Sequence, residues 1–156
     1  MVDWSSAAPP KPGLLPVCRI RSACESDDAF VAELARECGL VVDPVGSRTA
    51  ERSRLLIAQW GELPAGFVSY LLLPGEMEIV DIAVVLALRK MHVGKQLMTE
   101  ALAQGRRAQA KWAFLEVRRS NRAAQTLYRS VGFQQLDVRP KYYAGSEDAL
   151  LLRARL

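Results

Sequence analysis

A carboxylate stands in "KWAFLEV" (111–117), a run that otherwise reads as a strand apolar on both faces. That residue is Glu116, and a tyrosine, Tyr128, follows twelve residues later in "NRAAQTLYRSVG". Burial raises the pKa of a carboxyl group, which suits a general base working near neutral pH. A phenol on the next element could return a proton. The same two residues also have a plainer reading, a strand glutamate paired with Arg118 or another arginine and a tyrosine packed in the core. Residue types alone leave both open.

A second stretch, "RKMHVGKQLM" (89–98), has the composition of an anion site. It follows the apolar "DIAVVLAL" and opens a helical stripe of Leu97, Ala101, Leu102 and Ala108. The first N–H groups of a helix lack internal partners and lie at its positive end, where anions are held. Arg89, Lys90 and Lys95 add charge there. Many helix starts are basic, so the pattern is suggestive only in company. Cys18, Cys24 and Cys38 have no metal-ligand spacing, and His92 is the only histidine in the chain. The cysteines therefore read as small buried apolar residues in a reducing compartment, and no metal is expected.

These groups need elements to position them. "VCRIR" begins a strand over Val17–Arg21, and Ser26 or Asp27 can cap the helix that follows. Phe30, Leu34 and Cys38, with Val31 and Ala35, form its apolar face, and Gly39 stops it. "VVDPVGSRTAERS" reads as a loop with room for a short helix. "RLLIAQW", "GFVSYLLL" and "MEIVDIAVV" are three strands separated by "GELP" and "PGE", an antiparallel meander. After the helix and the Glu116 strand comes the Tyr128 helix, closed by Gly132. Then "FQQLDV" and "DALLLRARL" form two strands joined by "RPKYYAGSE". Helices alternate with strands only in the second half, so the class is α+β (mixed α/β).

The totals narrow the partners. With 156 residues, half of them apolar and 24% charged, the chain suits a globular protein with one core. Residues 1–15 read as a flexible N-terminal tail and 16–156 as a single domain. No run of 18 apolar residues occurs, and the proline-rich start lacks a signal-peptide core. A cytoplasmic protein without a membrane partner is expected. The net charge of +4 fits an anionic ligand. The basic residues are scattered without interleaved aromatics, which argues against nucleic acid.

Four segments together resemble the GNAT acetyltransferases, and most of all their ribosomal-protein-alanine (RimI-type) group. They are "IVDIAV", "RKMHVGKQLM" for the family's Arg/Gln-x-x-Gly-x-Gly/Ala loop, "FLEVRRSNRAAQTLYRSVGF" and "RPKYYAGSEDALLL". The resemblance runs from Glu78 to Leu152. It implies a mostly antiparallel sheet of about 6–7 strands, a splayed strand pair at the cofactor site and about 4 helices. It implies acetyl-CoA as co-substrate and a protein N-terminal amine as acceptor, such as the N-terminal alanine of a small-subunit ribosomal protein. A monomer or weak homodimer is expected. Position by position, Glu116 matches the general base and Tyr128 the general acid. Ile82, Ala83 and Val84 match the strand that pairs with the pantetheine arm. Arg89, Lys90, Met91, His92, Val93, Gly94 and Lys95 match the pyrophosphate loop, and Asn121 matches a further cofactor contact. Tyr142, Tyr143 and Glu147 would lie in the joining loop over the acceptor entrance; their plainer reading is hairpin packing and a surface acid.

Two departures stand out. His92 replaces the first loop glycine, and "VVLAL" (84–88) lacks the usual proline and polar residues. If position 92 needs φ > 0, a side chain there costs roughly 1–2 kcal/mol. The loop is therefore expected to work with altered affinity. Acceptors of other kinds, a lysine side chain or a small-molecule amine, and a CoA-binding module without catalysis are the alternatives.

Overall fold

The computed structural model describes residues 18–156. The expected tail and Val17 lie outside the described residues. Seven strands and four α-helices follow in the order β1 (Arg19–Ser22), α1 (Asp28–Glu37), α2 (Pro44–Thr49), β2 (Ser53–Trp60), β3 (Leu63–Leu73), β4 (Glu76–Val84), α3 (Val93–Arg107), β5 (Trp112–Arg118), α4 (Arg122–Ser130), β6 (Gln134–Tyr143) and β7 (Glu147–Arg155). The strands form one sheet in the order β1-β2-β3-β4-β5-β7-β6. Only β4 and β5 run parallel. The α+β expectation holds, and the meander is β2–β3–β4, turning at Gly61 (φ 55°) and Gly75 (φ 78°). Both glycines sit where a side chain would be strained.

The pleat sorts residues to two faces. The Tyr70 hydroxyl donates to Gln104 of α3 (2.5 Å), and a Cβ on Gly105 of α3 would lie 2.3 Å from Met77 Sδ. Tyr70 and Met77 therefore face α3. Ala113 is paired with Met77, so Leu115 and Val117 share that face, and Phe114 and Glu116 take the other. On that second face, Phe67 and Ala65 are fully buried, and α1 contributes Val31, Leu34 and Ala35 to the same core. The face of β5, β7 and β6 beyond α1 carries an open groove. β6 is exposed along nearly its whole length.

Several local expectations shift. Neither Ser26 nor Asp27 caps α1 with its side chain. Asp27 instead reaches back, accepting the Cys24 N–H (2.8 Å) and both guanidinium nitrogens of Arg21 (2.7 and 2.8 Å). Only Cys18 is buried among the cysteines; Cys24 is exposed and Cys38 half-buried, because both flank helix ends. Ala108 lies past the end of α3 and is exposed; Met98 and Gly105 complete the stripe instead. The ambiguous stretch contains α2, started by Pro44 in the first turn, where a missing N–H costs nothing. The "VVLAL" connection forms a 3-10 turn over Leu86–Leu88 and sends Val85 and Leu88 into the core. Two of its apolar residues thus join the core, while Leu86 stays exposed.

The feature that makes a site is a split. β4 pairs with β5 only through Glu76↔Trp112, Met77↔Ala113 and Glu78↔Phe114. Val80 bulges out of the β3–β4 ladder, and Ser69 Oγ accepts the N–H of Asp81 (3.2 Å) beside it. A bulge bends and twists its strand. Beyond it, β4 follows β3 while β5 follows β7, and the β5-side edge of Ile79–Val84 has no strand partner.

Candidate active site

The split opens to both faces of the sheet, and each face brings different chemistry. On the α3 face, the loop before α3 places Lys90 and His92 in left-handed conformations (φ 64° and 61°). The first α3 N–H to reach back is that of Gln96, to His92 O (3.0 Å). The N–H groups of Val93, Gly94 and Lys95 precede it and have no helical acceptor. Lys90, His92 and Lys95 are exposed around them. Arg89 is exposed as well but is tied down, donating to Val84 O (3.1 Å) and Cys38 Sγ (3.4 Å). A Cβ on Gly94 would lie 3.1 Å from Leu127 Cδ2, so glycine there lets α4 pack against the start of α3. A polyanion fits this end: unspent N–H donors, helix polarity and the exposed side chains of Lys90, His92 and Lys95 surround it.

α4 carries Tyr128 into the same region. Asn121 caps the helix, its side-chain oxygen accepting the Ala124 N–H (3.1 Å). Gln125 is buried and donates to Arg118 O (3.2 Å) and Arg119 O (2.9 Å), which ties α4 to the end of β5. Tyr128 is 7% exposed, with its ring 6.0 Å from that of Phe133. No protein group bonds its hydroxyl among the described residues, and no buried side-chain polar atom there lacks a partner. The hydroxyl therefore reaches accessible space. Burial holds the phenol well above its ordinary value, and the charges of Asp81 and Tyr143 push the same way. Asp81, half-buried on β4 at the split, is itself raised by burial.

On the second face lies a groove of about 340 Å³, lined by Leu73, Glu76, Glu78, Phe114, Leu151 and their neighbours Glu116, Arg139 and Tyr142. Glu116 points into it from β5, just past the last β4–β5 pair. Its carboxylate is ion-paired with Arg139 of β6, which crosses over β7 to reach it. Arg118, the partner expected from neighbouring sequence, pairs instead with Glu147 (3.0 Å). Tyr142 is 51% exposed at the groove, and its hydrogen bond with Glu116 raises its phenol. The Arg139 guanidinium lies 5.6 Å from the Tyr142 ring centroid.

The other two expected acceptor residues serve as a brace. β6 runs through Tyr143 and β7 starts at Glu147, so the turn spans only 144–146 and Tyr142 and Tyr143 belong to a strand. Glu147 accepts the Ser120 N–H (2.9 Å) and hydroxyl (2.5 Å) as well as Arg118, and these bonds hold its carboxyl below the usual range. Arg118 stacks 4.0 Å over the Tyr143 ring. The turn is thereby fastened to the β5–α4 connection. Ile82, Ala83 and Val84 all lie on the part of β4 that pairs with β3 alone, its β5-side edge left open. Sequence reasoning missed Arg139, Glu76, Glu78, Gln125 and Asp81. Asp81 carries the signal that exposed Glu116, a carboxylate within an apolar strand, whereas Arg139 depends on β6 lying two strands from β5.

The comparison with known families decides the kinship. The model of the "Acetyltransferase (GNAT) family" matches residues 17–133, three quarters of the chain. The chain belongs to the GNAT acetyltransferase family. It is 39% identical over 126 residues to an uncharacterised protein of Mycobacterium leprae, covering 80% of this chain and 32% of that one. It is 41% identical over 81 residues to the N-alpha-acetyltransferase RimI of Mycobacterium tuberculosis, covering 51% of this chain and 49% of that one. The chain spans about a third to a half of the length of the curated relatives it matches first. Its fold matches the ribosomal-protein-S18-alanine N-acetyltransferase from Escherichia coli at TM-score 0.80 and 23% identity, covering 89% and 94% of the two chains. The GNAT fold thus accounts for the split sheet and for the helix that starts beside it.

Proposed function

We propose that this chain acetylates a protein N-terminal α-amine with acetyl-CoA as donor. One observation carries the reading. The split connects a face built for an anion with a face that presents a carboxylate to a groove, so an anionic donor and a cationic acceptor can meet there from opposite sides. The resemblance to N-alpha-acetyltransferases supports the choice of amine, and a ribosomal protein N-terminus such as alanine is the acceptor class it favours. The α3 N–H groups of Val93, Gly94 and Lys95, with Lys90 and His92, would hold the pyrophosphate. The partnerless edge of Ile82–Val84 would hold the amide groups of the pantetheine arm. Acetyl-CoA supplies the acetyl group as a thioester, activated toward amines.

The residues divide the proton work. An α-ammonium is not nucleophilic until it loses a proton, and Glu116 accepts that proton from the groove side. Tyr128 holds its proton firmly at the split. A thiol near 8.5 is a stronger acid than even an ordinary phenol near 10, so full transfer from Tyr128 is uphill by at least about 2 kcal/mol. Its hydroxyl therefore acts as a fixed hydrogen-bond donor to charge building on sulfur; its proton passes only as the C–S bond breaks, and the phenolate regains one from the proton that the amine nitrogen sheds as the amide forms. No cysteine nucleophile is needed.

Mass spectrometry after incubation with acetyl-CoA and a peptide bearing a free N-terminal alanine and one internal lysine tests the reading. Acetyl on the α-amine alone supports it. Acetyl on the lysine alone moves the acceptor, and no acetyl from a protein that binds the cofactor overturns it.

A further inference from the structure

The Glu116–Arg139 pair deserves a functional account, because it joins the proposed base to a cation on an edge strand. We infer that Arg139 is a resident counter-ion that the acceptor ammonium displaces, which makes it a positioning residue for acceptor binding. The inference rests on the reading of Glu116 as the base. Glu116 is only 21% exposed at its side chain, while Arg139 is 48% exposed, so the cation is the partner that can leave. Three nearby guanidinium groups are engaged elsewhere, Arg118 with Glu147, Arg119 with Asp148 and Arg153 over Trp112. Arg139 also begins an irregular stretch of β6, where the register shifts before Tyr143 and Lys141 has φ 53°.

The groove explains why exchange is favourable. Glu76, Glu78 and Glu116 line it against a single guanidinium, so an incoming ammonium meets excess negative charge even before Arg139 leaves. Tyr142 stays beside Glu116 throughout, and its ring can face whichever cation is present. The ammonium then takes the position on Glu116 from which its proton is lost. Arg139 keeps the carboxylate paired and oriented between turnovers.

Steady-state kinetics with the N-terminal-alanine peptide test this in Arg139→Gln, Arg139→Lys and Glu116→Gln. Removing the competing cation is expected to lower the acceptor KM about 1.5- to 5-fold, the equilibrium equivalent of one exposed ion pair. The KM for acetyl-CoA should not follow it, and Arg139→Lys should return the acceptor KM toward the wild-type value. In a Glu116→Gln background, Arg139→Gln should leave the acceptor Kd, read by titration calorimetry with the same peptide, unmoved, because nothing remains to compete for. An acceptor KM that stays constant or rises in Arg139→Gln, while Glu116→Gln still slows transfer strongly, overturns the displacement and leaves the base intact. If Glu116→Gln turns over normally, the reading of the base itself fails.

Discussion

Replacing His92 with glycine is expected to stabilise the protein, and the size follows from its backbone. His92 has φ 61° and ψ 8° at the start of α3, with Leu88 and Val93 buried on either side of the loop. Those anchors fix the conformation in the folded chain, so the strain falls on folding. A side chain in this region costs roughly 1–2 kcal/mol, toward the lower end for histidine, which tolerates it better than most residues. Glycine would remove that cost but lose about 0.5–1 kcal/mol through the freedom of the unfolded chain. The net gain is on the order of 0.5 kcal/mol, or a rise in Tm of about 1–2 °C for a chain of this size. Urea denaturation and a thermal scan read it directly. His92→Ala is the control, because alanine keeps the strain and should give no gain. A glycine variant no more stable than wild type, or an alanine variant equally stabilised, would refute the reasoning and point to a contact made by the imidazole.

Asp27 gives a pH signature. Its carboxyl is lowered from 3.8 to about 2, first by the hydrogen bonds from Arg21, with burial opposing. A group lowered on folding contributes stability above its unfolded value, and the contribution is lost as pH falls through the folded value. Asp27 should therefore contribute on the order of 2 kcal/mol above about pH 4, fading toward pH 2; Asp27→Asn should flatten that part of a stability–pH curve, and an unchanged slope would contradict it. Gly105→Ala sets helix propensity against packing. Its Cβ would lie 2.3 Å from Met77 Sδ and 2.9 Å from Leu156 Cδ1. Overpacking of about 1–3 kcal/mol should outweigh a propensity gain of about 1 kcal/mol, so calorimetry should show a lower Tm; a higher one would mean the core yields there.

Much of this architecture is legible in the chain because its signals are local. The "GELP" and "PGE" turns and the 3.6-residue stripe of α3 need no tertiary context. The boundary of β6 was not legible, since the strand is exposed on both faces and shows no alternation to read. Pro140 and the left-handed Lys141 make "RPKYY" look like loop, whereas the edge strand tolerates both. The split itself hides for a similar reason. Its bulge falls at Val80, with no glycine to announce it, and the buried Ser69 hydroxyl that accommodates it comes from the neighbouring strand. Glu116 could be chosen from its strand alone, but its partner could not. Arg139 reaches it only because β7 inserts between β5 and β6, an order that the folded sheet decides.

The most direct test of the central claim is single-turnover acetyl transfer to the N-terminal-alanine peptide by Glu116→Gln, with acetyl-CoA affinity measured on the same preparation. Loss of a positioned general base should slow transfer by about 10²- to 10⁴-fold while the cofactor binds as tightly as to wild type. A near-normal rate would contradict the account, and the proton would then have to leave by way of another group at the split.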